Sequence, residues 1–184
     1  MRIITGSLKG RSIKLPKNVT TRPTSDRTKE GMFGIIDARR YFDKLKVLDL
    51  FSGSGNLAFE AISRGAGFAM VIEENPACIQ AIEKNAEQFE IDEQVLAVRA
   101  NVLTYLQSPA TGYDLVFADP PYDLPELPDL PDMIIKNGWL AEDGWFILEH
   151  DARYDFADHP HCVFAKPYGR TAVTIFLDQP VQES

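Results

Sequence analysis

Apolar and polar positions along this chain switch repeatedly between two periods. Val47-Leu48-Asp49-Leu50-Phe51 is a short, almost uninterrupted apolar run of the kind that buried parallel strands use. A helical pattern follows at once, from about Asn56 to Arg64, and the next strand is Phe68–Ile72, ending on Glu73. Pro76 sits where a helix start tolerates it, and Ile79, Ile82, Ala86 and Phe89 then share one helical face. Val95–Arg99 and Asp114–Ala118 read as a third and a fourth strand. Leu124–Asp132, interrupted by Pro125, Pro128 and Pro131, reads as an irregular loop before a helix near Met133–Asn137. Trp145–Glu149 is a fifth strand. Cys162–Lys166 and Thr171–Leu177, joined through Tyr168-Gly169-Arg170, read as a terminal antiparallel hairpin. Repeated βα units of this kind predict an α/β fold, a doubly wound and mostly parallel sheet with right-handed crossovers.

The first 45 residues pattern differently. Arg2–Thr5 and Arg11–Leu15 are short β-like runs around Gly6 to Gly10, which predicts an N-terminal β-hairpin. Pro23 holds Arg22 extended. Thr24, Ser25 and Asp26 offer an N-cap for a helix through about Arg40, with Met32, Phe33, Ile35 and Ile36 on its apolar face. The expected organisation is thus residues 1–45 as a hairpin-and-helix extension and residues 46–184 as the α/β domain.

Charge sharpens this division. The chain of 184 residues carries a net −8, which argues naively against a polyanionic partner. Yet residues 1–46 hold 12 Lys and Arg against 4 Asp and Glu, while residues 47–184 hold 7 against 23. A basic extension on an acidic domain fits a polyanion that docks at one end, with Lys9, Arg11, Lys14, Arg22 and Arg27 as its candidate contacts. With 45% hydrophobic residues and no stretch of membrane-spanning length, the expectation is a cytoplasmic, monomeric globular protein. Cys78 and Cys162 lie far apart and are expected as reduced, packed thiols. His159-Pro160-His161-Cys162 has no distant ligand set, so a surface loop rather than a metal site is expected there.

The candidate chemistry begins after the first strand, at Ser52-Gly53-Ser54-Gly55. Glycines permit a tight turn and let a ligand approach the backbone, and the helix start presents unpaired N–H groups. Gly53-x-Gly55-x-x-Ala58 fits a dinucleotide site. Asp49-x-x-x-Gly53-x-Gly55 fits equally the first motif of class I methyltransferases, which bind S-adenosylmethionine. Glu73, ending the second strand, can accept hydrogen bonds from two ribose hydroxyls in either family, and is preferred to Glu74 because it directly follows the apolar run. Asn101, after the third strand, can accept a bond from an adenine amine through its Oδ1. Glu149-His150 ends the fifth strand on the same edge, as a border of the site or as a strand cap. Phe33 and Phe51 are expected in the core or the pocket wall.

Asp119-Pro120-Pro121-Tyr122 separates the two families. It follows a buried strand and so shares the sheet edge of the glycine turn. Two prolines stiffen the turn and remove two N–H donors. The Asp119 carboxylate and the Pro120 carbonyl can then accept both protons of an exocyclic amine, while Tyr122 offers a ring on which a base stacks. A dehydrogenase has no use for such a turn.

With these residues the chain resembles the bacterial 16S ribosomal RNA guanine-N2 methyltransferase D family. Arg22-Pro23-Thr24 followed by Arg27, Glu30 and Phe33, the Gly6 to Gly10 hairpin and Tyr168-Gly169-x-Thr171 carry the resemblance beyond the two motifs. It implies a class I methyltransferase fold and S-adenosylmethionine held by Asp49, Phe51, Gly53, Gly55, Glu73, Asn101 and Asp119. It also implies a small-subunit ribosomal RNA guanine as acceptor, handled by Asp119, Pro120 and Tyr122. Asn101 departs from the acid usual at its position, and the chain is more acidic than the family's usual members. DNA adenine-N6 or cytosine-N4 methyltransferases share both motifs but carry a separate recognition domain, for which nothing here is a counterpart. A non-catalytic module holding cofactor and RNA would have little reason to keep Asp119–Tyr122.

Overall fold

A computed structural model describes residues 1–16 and 26–180. Seven strands form one sheet in the order β3-β2-β1-β4-β5-β7-β6. β1 (Lys46–Leu50), β2 (Phe68–Glu73), β3 (Val95–Arg99), β4 (Tyr113–Ala118) and β5 (Leu140–Asp151) pair in parallel, and β7 (Thr171–Leu177) runs antiparallel between β5 and β6 (Cys162–Tyr168). The expected α/β sheet with its C-terminal hairpin is the observed one. β1 has β2 on one side and β4 on the other, so the strand order reverses beside β1. A crevice opens there at the carboxyl edge of the strands.

Period-two alternation divides the core between the two faces of the sheet. Val47, Leu115, Phe117, Ile147 and Val173 face α1 (Asp26–Asp37), α2 (Asn56–Ser63) and α3 (Pro76–Phe89). Leu48, Leu50, Val116, Phe146 and Leu148 face α4 (Val102–Tyr105) and α5 (Leu130–Lys136). The expected face of α1 is inside: Met32, Phe33 and Ile36 are fully buried, with the Phe33 ring 5.5 Å from that of Phe117.

Several boundaries differ from the sequence reading, each for a local reason. α1 ends at Asp37, because Arg40 is drawn away to the carbonyls of Asp114 and Asp143 (3.3 and 2.7 Å) and over the Trp145 ring. α5 starts at Leu130, inside the expected loop, since Pro131 falls in the first turn, where its missing N–H costs nothing. A 3-10 turn, Leu127–Asp129, precedes it. β5 begins at Leu140, five residues early: Asp143 at φ 59° lies in an irregularity of the β4 pairing, which hid the strand behind polar residues. Gly144 is obligatory there, because a Cβ would lie 2.8 Å from two carbonyl oxygens.

The N-terminal segment closes its hairpin with one antiparallel bridge, Arg2 to Ser12. The Ile3, Gly10 and Ile13 N–H groups bond within the segment, while four others, those of Ile4, Thr5, Ser7 and Leu8, donate to α2. Ile4 and Thr5 donate to the two carboxylate oxygens of Glu60 at 2.8 and 3.0 Å, and Leu8 donates to Ser63 Oγ at 2.9 Å. Gly6, at φ 89°, packs so closely that a Cβ would sit 1.8 Å from the Ser63 carbonyl. Glu60 is fully buried and also receives Lys29 Nζ (3.2 Å) and both Nε and Nη2 of Arg64 (3.1 and 3.0 Å). Arg64 bonds Asp37 as well, so one ionic cluster ties the N-terminal strand, α1 and α2 together. Ile3, Leu8 and Ile13 complete the join by entering the same core as α2 and α3.

Candidate active site

The crevice beside β1 is a cavity of about 530 Å³, well within the range of small-molecule sites. Its floor is the turn after β1. Phe51, Gly53 and Gly55 all adopt positive φ (55°, 52° and 73°). Phe51 pays roughly 1–2 kcal/mol for this conformation, a strain of the sort that gathers at ligand sites. Gly55 is the residue before α2 and has no side chain with which to cap it. Asp49, six residues back on β1, supplies the missing acceptor: its Oδ2 takes the Ala58 N–H at 3.1 Å. The spacing from acid to glycines therefore has a structural cause.

Asp49 is 1% exposed, and burial, with Asp119 and Glu73 nearby, pushes its carboxyl up to about 8 against the pull of the Ala58 N–H. Glu73 stands across the floor with Oε2 on Gly53 N–H and Oε1 on Asn75 N–H, both at 2.8 Å. These bonds fix the carboxylate at the cavity and leave a lone pair on each oxygen for a ligand hydroxyl. Glu74 points instead to Asn101, whose Nδ2 reaches Glu74 Oε2 at 3.3 Å. Asn101 Oδ1 caps α4 through Thr104 N–H at 3.1 Å, and the Val102–Leu103 side of the cavity beyond it is apolar.

The opposite wall is Asp119, Pro120, Pro121 and Tyr122, at the end of β4. Tyr122 Oη lies 3.0 Å from Thr171 Oγ1, which couples this turn to the start of β7. Of the expected cofactor residues, Asp49, Phe51, Gly53, Glu73, Asn101 and Asp119 line this one cavity together with Pro120 and Tyr122, while Gly55 lies behind the floor, between Ser54 and Asn56, which do line it. Three wall residues were invisible to sequence reasoning. Met1 accepts Ser54 Oγ–H at its sulfur (3.1 Å), and Asn56 is held by the buried Lys29 ammonium at 2.8 Å, where a polar residue at a helix start gave no hint of a role. Leu124, in a proline-rich loop, closes the far side. Glu149 and His150 are buried, with His150 bonded to the Asp151 carbonyl and Thr174 Oγ1 and its pKa lowered by that burial.

The other sequence candidates are dispersed. α2 and α3 start at the carboxyl edge and run away from it, and α3's 14 residues span about 20 Å. Arg11 lies at the far end of α3, bonded to the Gln88 carbonyl and over the Phe89 ring. Lys9 sits beside the far end of α2, in the segment that Ser63 holds. Lys14 is exposed beside α3, its backbone clamped both ways by Asn85. Arg27 is exposed in the first turn of α1. Arg22 and the Thr24 and Ser25 cap lie outside the described residues. Cys78 and Cys162 are free thiols. Among the described residues no group of three His, Cys, Asp or Glu could hold a metal, and no helix is long and apolar enough to cross a membrane.

Residues 1–177 match a protein family described as "Conserved hypothetical protein 95". The Bacillus subtilis (strain 168) protein named "Putative rRNA methyltransferase YlbH" is 35% identical over 96% of this chain and 98% of its own length. "Ribosomal RNA small subunit methyltransferase D" of Escherichia coli (strain K12) is 33% identical over 82% of this chain and 75% of its own. Among solved structures, "Putative methyltransferase yhhF from Escherichia coli" superposes with a TM-score of 0.84 at 29% identity, covering 96% and 97% of the two chains. An RNA methyltransferase from Salinibacter ruber, solved with S-adenosyl-L-homocysteine, shares the fold at 17% identity, with a TM-score of 0.65 over 89% of this chain and 98% of its own. The chain belongs to this ribosomal RNA methyltransferase D family and has its class I methyltransferase fold.

Proposed function

We propose that this protein transfers a methyl group from S-adenosylmethionine to the exocyclic N2 amine of a guanine in small-subunit ribosomal RNA. Its membership of a methyltransferase family sets the reaction class, and S-adenosylmethionine is the donor. The observation that carries the finer reading is the shared cavity: an amine-accepting turn, Asp119–Tyr122, faces a glycine turn and a ribose-type acid, Glu73, across one space.

The residues present fit the cofactor. Glu73 presents to the cavity a carboxylate already oriented by the Gly53 and Asn75 N–H groups, and a Cβ on Gly55 would distort the glycine turn by pressing into the core against Phe59 and Ile82 at 3.1 and 3.2 Å. Glu73 would hold ribose hydroxyls, Asn101 with the apolar Val102–Leu103 wall the adenine, and the Asp49–Gly55 turn the remainder. S-adenosylmethionine, when bound, supplies an electrophilic methyl group. The chain itself contributes positioning and polar orientation. The Asp119 carboxylate and the Pro120 carbonyl accept the two amine protons, which draws the nitrogen towards tetrahedral geometry and exposes its lone pair. Tyr122, steadied through Thr171, stacks against the base. The alkylated amine is a strong acid and gives its proton to Asp119 or to water.

The base is read most readily from an unpaired loop or bulge, because A-form duplexes hide base edges and a splayed base costs least to extract. The basic extension, with Lys9, Arg11, Lys14, Arg22 and Arg27, would contact the RNA backbone. A cytoplasmic monomer without a metal completes the reading. The test separates acceptor from cofactor chemistry. Asp119→Ala and Tyr122→Ala should each abolish most transfer, and in Tyr122→Ala, which removes no cofactor contact, cofactor affinity measured by calorimetry should stay within about twofold. Loss of affinity in step with activity would reduce Asp119–Tyr122 to a structural turn.

A further inference from the structure

Two of the five basic residues assigned to RNA by charge alone, Lys9 and Arg11, sit at the ends of α2 and α3 remote from the cavity. Nucleotides flanking a base inserted at Tyr122 must be held nearer. The acidic α/β portion has only 7 Lys and Arg in residues 47–184. Three of them, Arg153, Lys166 and Arg170, gather at the carboxyl edge around β5–β7. Tyr168 pairs with Thr171 at the tip of the β6–β7 hairpin, and Thr171 is the residue bonded to Tyr122. Ala152 N–H donates to the Arg170 carbonyl at 3.0 Å, which joins the loop carrying Arg153 to this tip.

The tip is built to stand fixed and outward. Tyr168 is seated against Gly31 of α1, where a Cβ would come within 2.4 Å of its hydroxyl. Lys166 lies over the Tyr168 ring at 5.4 Å. Gly169, at φ 70°, has nothing within 4 Å of a built Cβ, and Arg170 is exposed beside it. Arg153 is 74% exposed and pairs with Asp151 through its Nε. One helical turn before Gly31, on the same face of α1, stands the exposed Arg27. The edge also carries acids, among them Asp123 and Asp155, so its basic groups are interspersed with carboxylates.

We infer that the Tyr168–Arg170 tip, with Lys166, Arg153 and Arg27, is a phosphate-gripping edge that holds the RNA strand next to the target base. It rests on the reading of this cavity as an RNA amine methyltransferase site. The arrangement gives the Tyr168-Gly169-Arg170-Thr171 motif a purpose: Thr171 steadies the base-stacking ring while its neighbours hold the backbone on either side. Lys9 and Arg11 would then meet only RNA that extends some 20 Å further along the surface.

The test is Arg153→Glu/Arg170→Glu, with Arg153→Gln/Arg170→Gln as the milder pair. Lys84→Glu/Lys136→Glu is a control of equal charge change on α3 and α5. Affinity for small-subunit ribosomal RNA is measured across salt concentrations, with KM for RNA and calorimetry of S-adenosylmethionine alongside. Each lost phosphate contact flattens the plot of log affinity against log salt by about 0.7–0.9, so the Glu pair should flatten it by roughly 1.4–1.8. The Gln pair should flatten it nearly as much. KM for RNA should rise with cofactor affinity unchanged, and the control pair should move neither. Wild-type slope and KM in both tip pairs, or equal effects from the control, would overturn the edge while leaving the methyltransferase reading intact. Failure of the wild-type protein to bind or methylate ribosomal RNA would overturn both.

Discussion

Glu60→Gln probes the joint that fixes the N-terminal segment to the rest of the fold. Glu60 is fully buried, and each of its oxygens faces donors alone: Oε2 takes Ile4 N–H and Lys29 Nζ, while Oε1 takes Thr5 N–H and Arg64. Glutamine has the same shape but replaces one oxygen by an NH₂. Whichever way that amide turns, a donor meets a backbone N–H and a cation in a space closed to water. Removing one partner's charge from a buried pair costs about 3–5 kcal/mol. Against a total stability of roughly 5–15 kcal/mol the variant should still fold. At about 2–4 °C per kcal/mol for a chain this long, its melting temperature should fall by roughly 6–20 °C. Urea unfolding should show a lower midpoint at an unchanged slope. A loss below about 1 kcal/mol would refute the assignment of Glu60 as the central acceptor of the joint.

Three further outcomes follow from the site. Glu73→Ala should weaken S-adenosylmethionine binding by about 1.5–3 kcal/mol, the range for hydrogen bonds to a charged group. Gly55→Asp should weaken it more, since any Cβ crowds Phe59 and Ile82 at positive φ; unchanged calorimetry in both would displace the cofactor from this turn. Asp49 has its carboxyl raised to about 8, so the folded state keeps a proton that the unfolded chain releases near 4. Stability should therefore fall as pH rises between about 4 and 8, and Asp49→Asn, which has no proton to lose, should not share that fall. Parallel pH profiles of urea midpoints for wild type and variant would contradict the assignment.

The sequence disclosed those parts of the site whose cause is local. An apolar run into two glycines, and another into Asp119-Pro120-Pro121-Tyr122, announce strand ends, and a parallel sheet brings strand ends to one edge. Asp49's role as the cap of α2 needed coordinates, because the acceptor comes from a different element than the helix it caps. Lys29 and Glu60 carry no mark in the sequence of their burial, since nothing local distinguishes a charge that a distant strand will cover. Charge counting found the basic extension but carries no position, and so could not reveal that Lys9 and Arg11 lie beside the far ends of α2 and α3. The start of β5 was hidden because Glu142-Asp143-Gly144 is polar turn chemistry set inside a strand.

The most direct measurement of the central claim is nucleoside mass spectrometry after incubating the protein with labelled S-adenosylmethionine and small-subunit ribosomal RNA, free or in assembled particles, beside duplex DNA. The acceptor groups of Asp119 and Pro120 do not by themselves distinguish one amine from another, so the identity of the labelled base is what the experiment decides. The account predicts label in N2-methylguanosine from the RNA, lost in Asp119→Ala, and none in the DNA. Label in N6-methyladenine or N4-methylcytosine of the duplex, with no methylguanosine from the RNA, would contradict it.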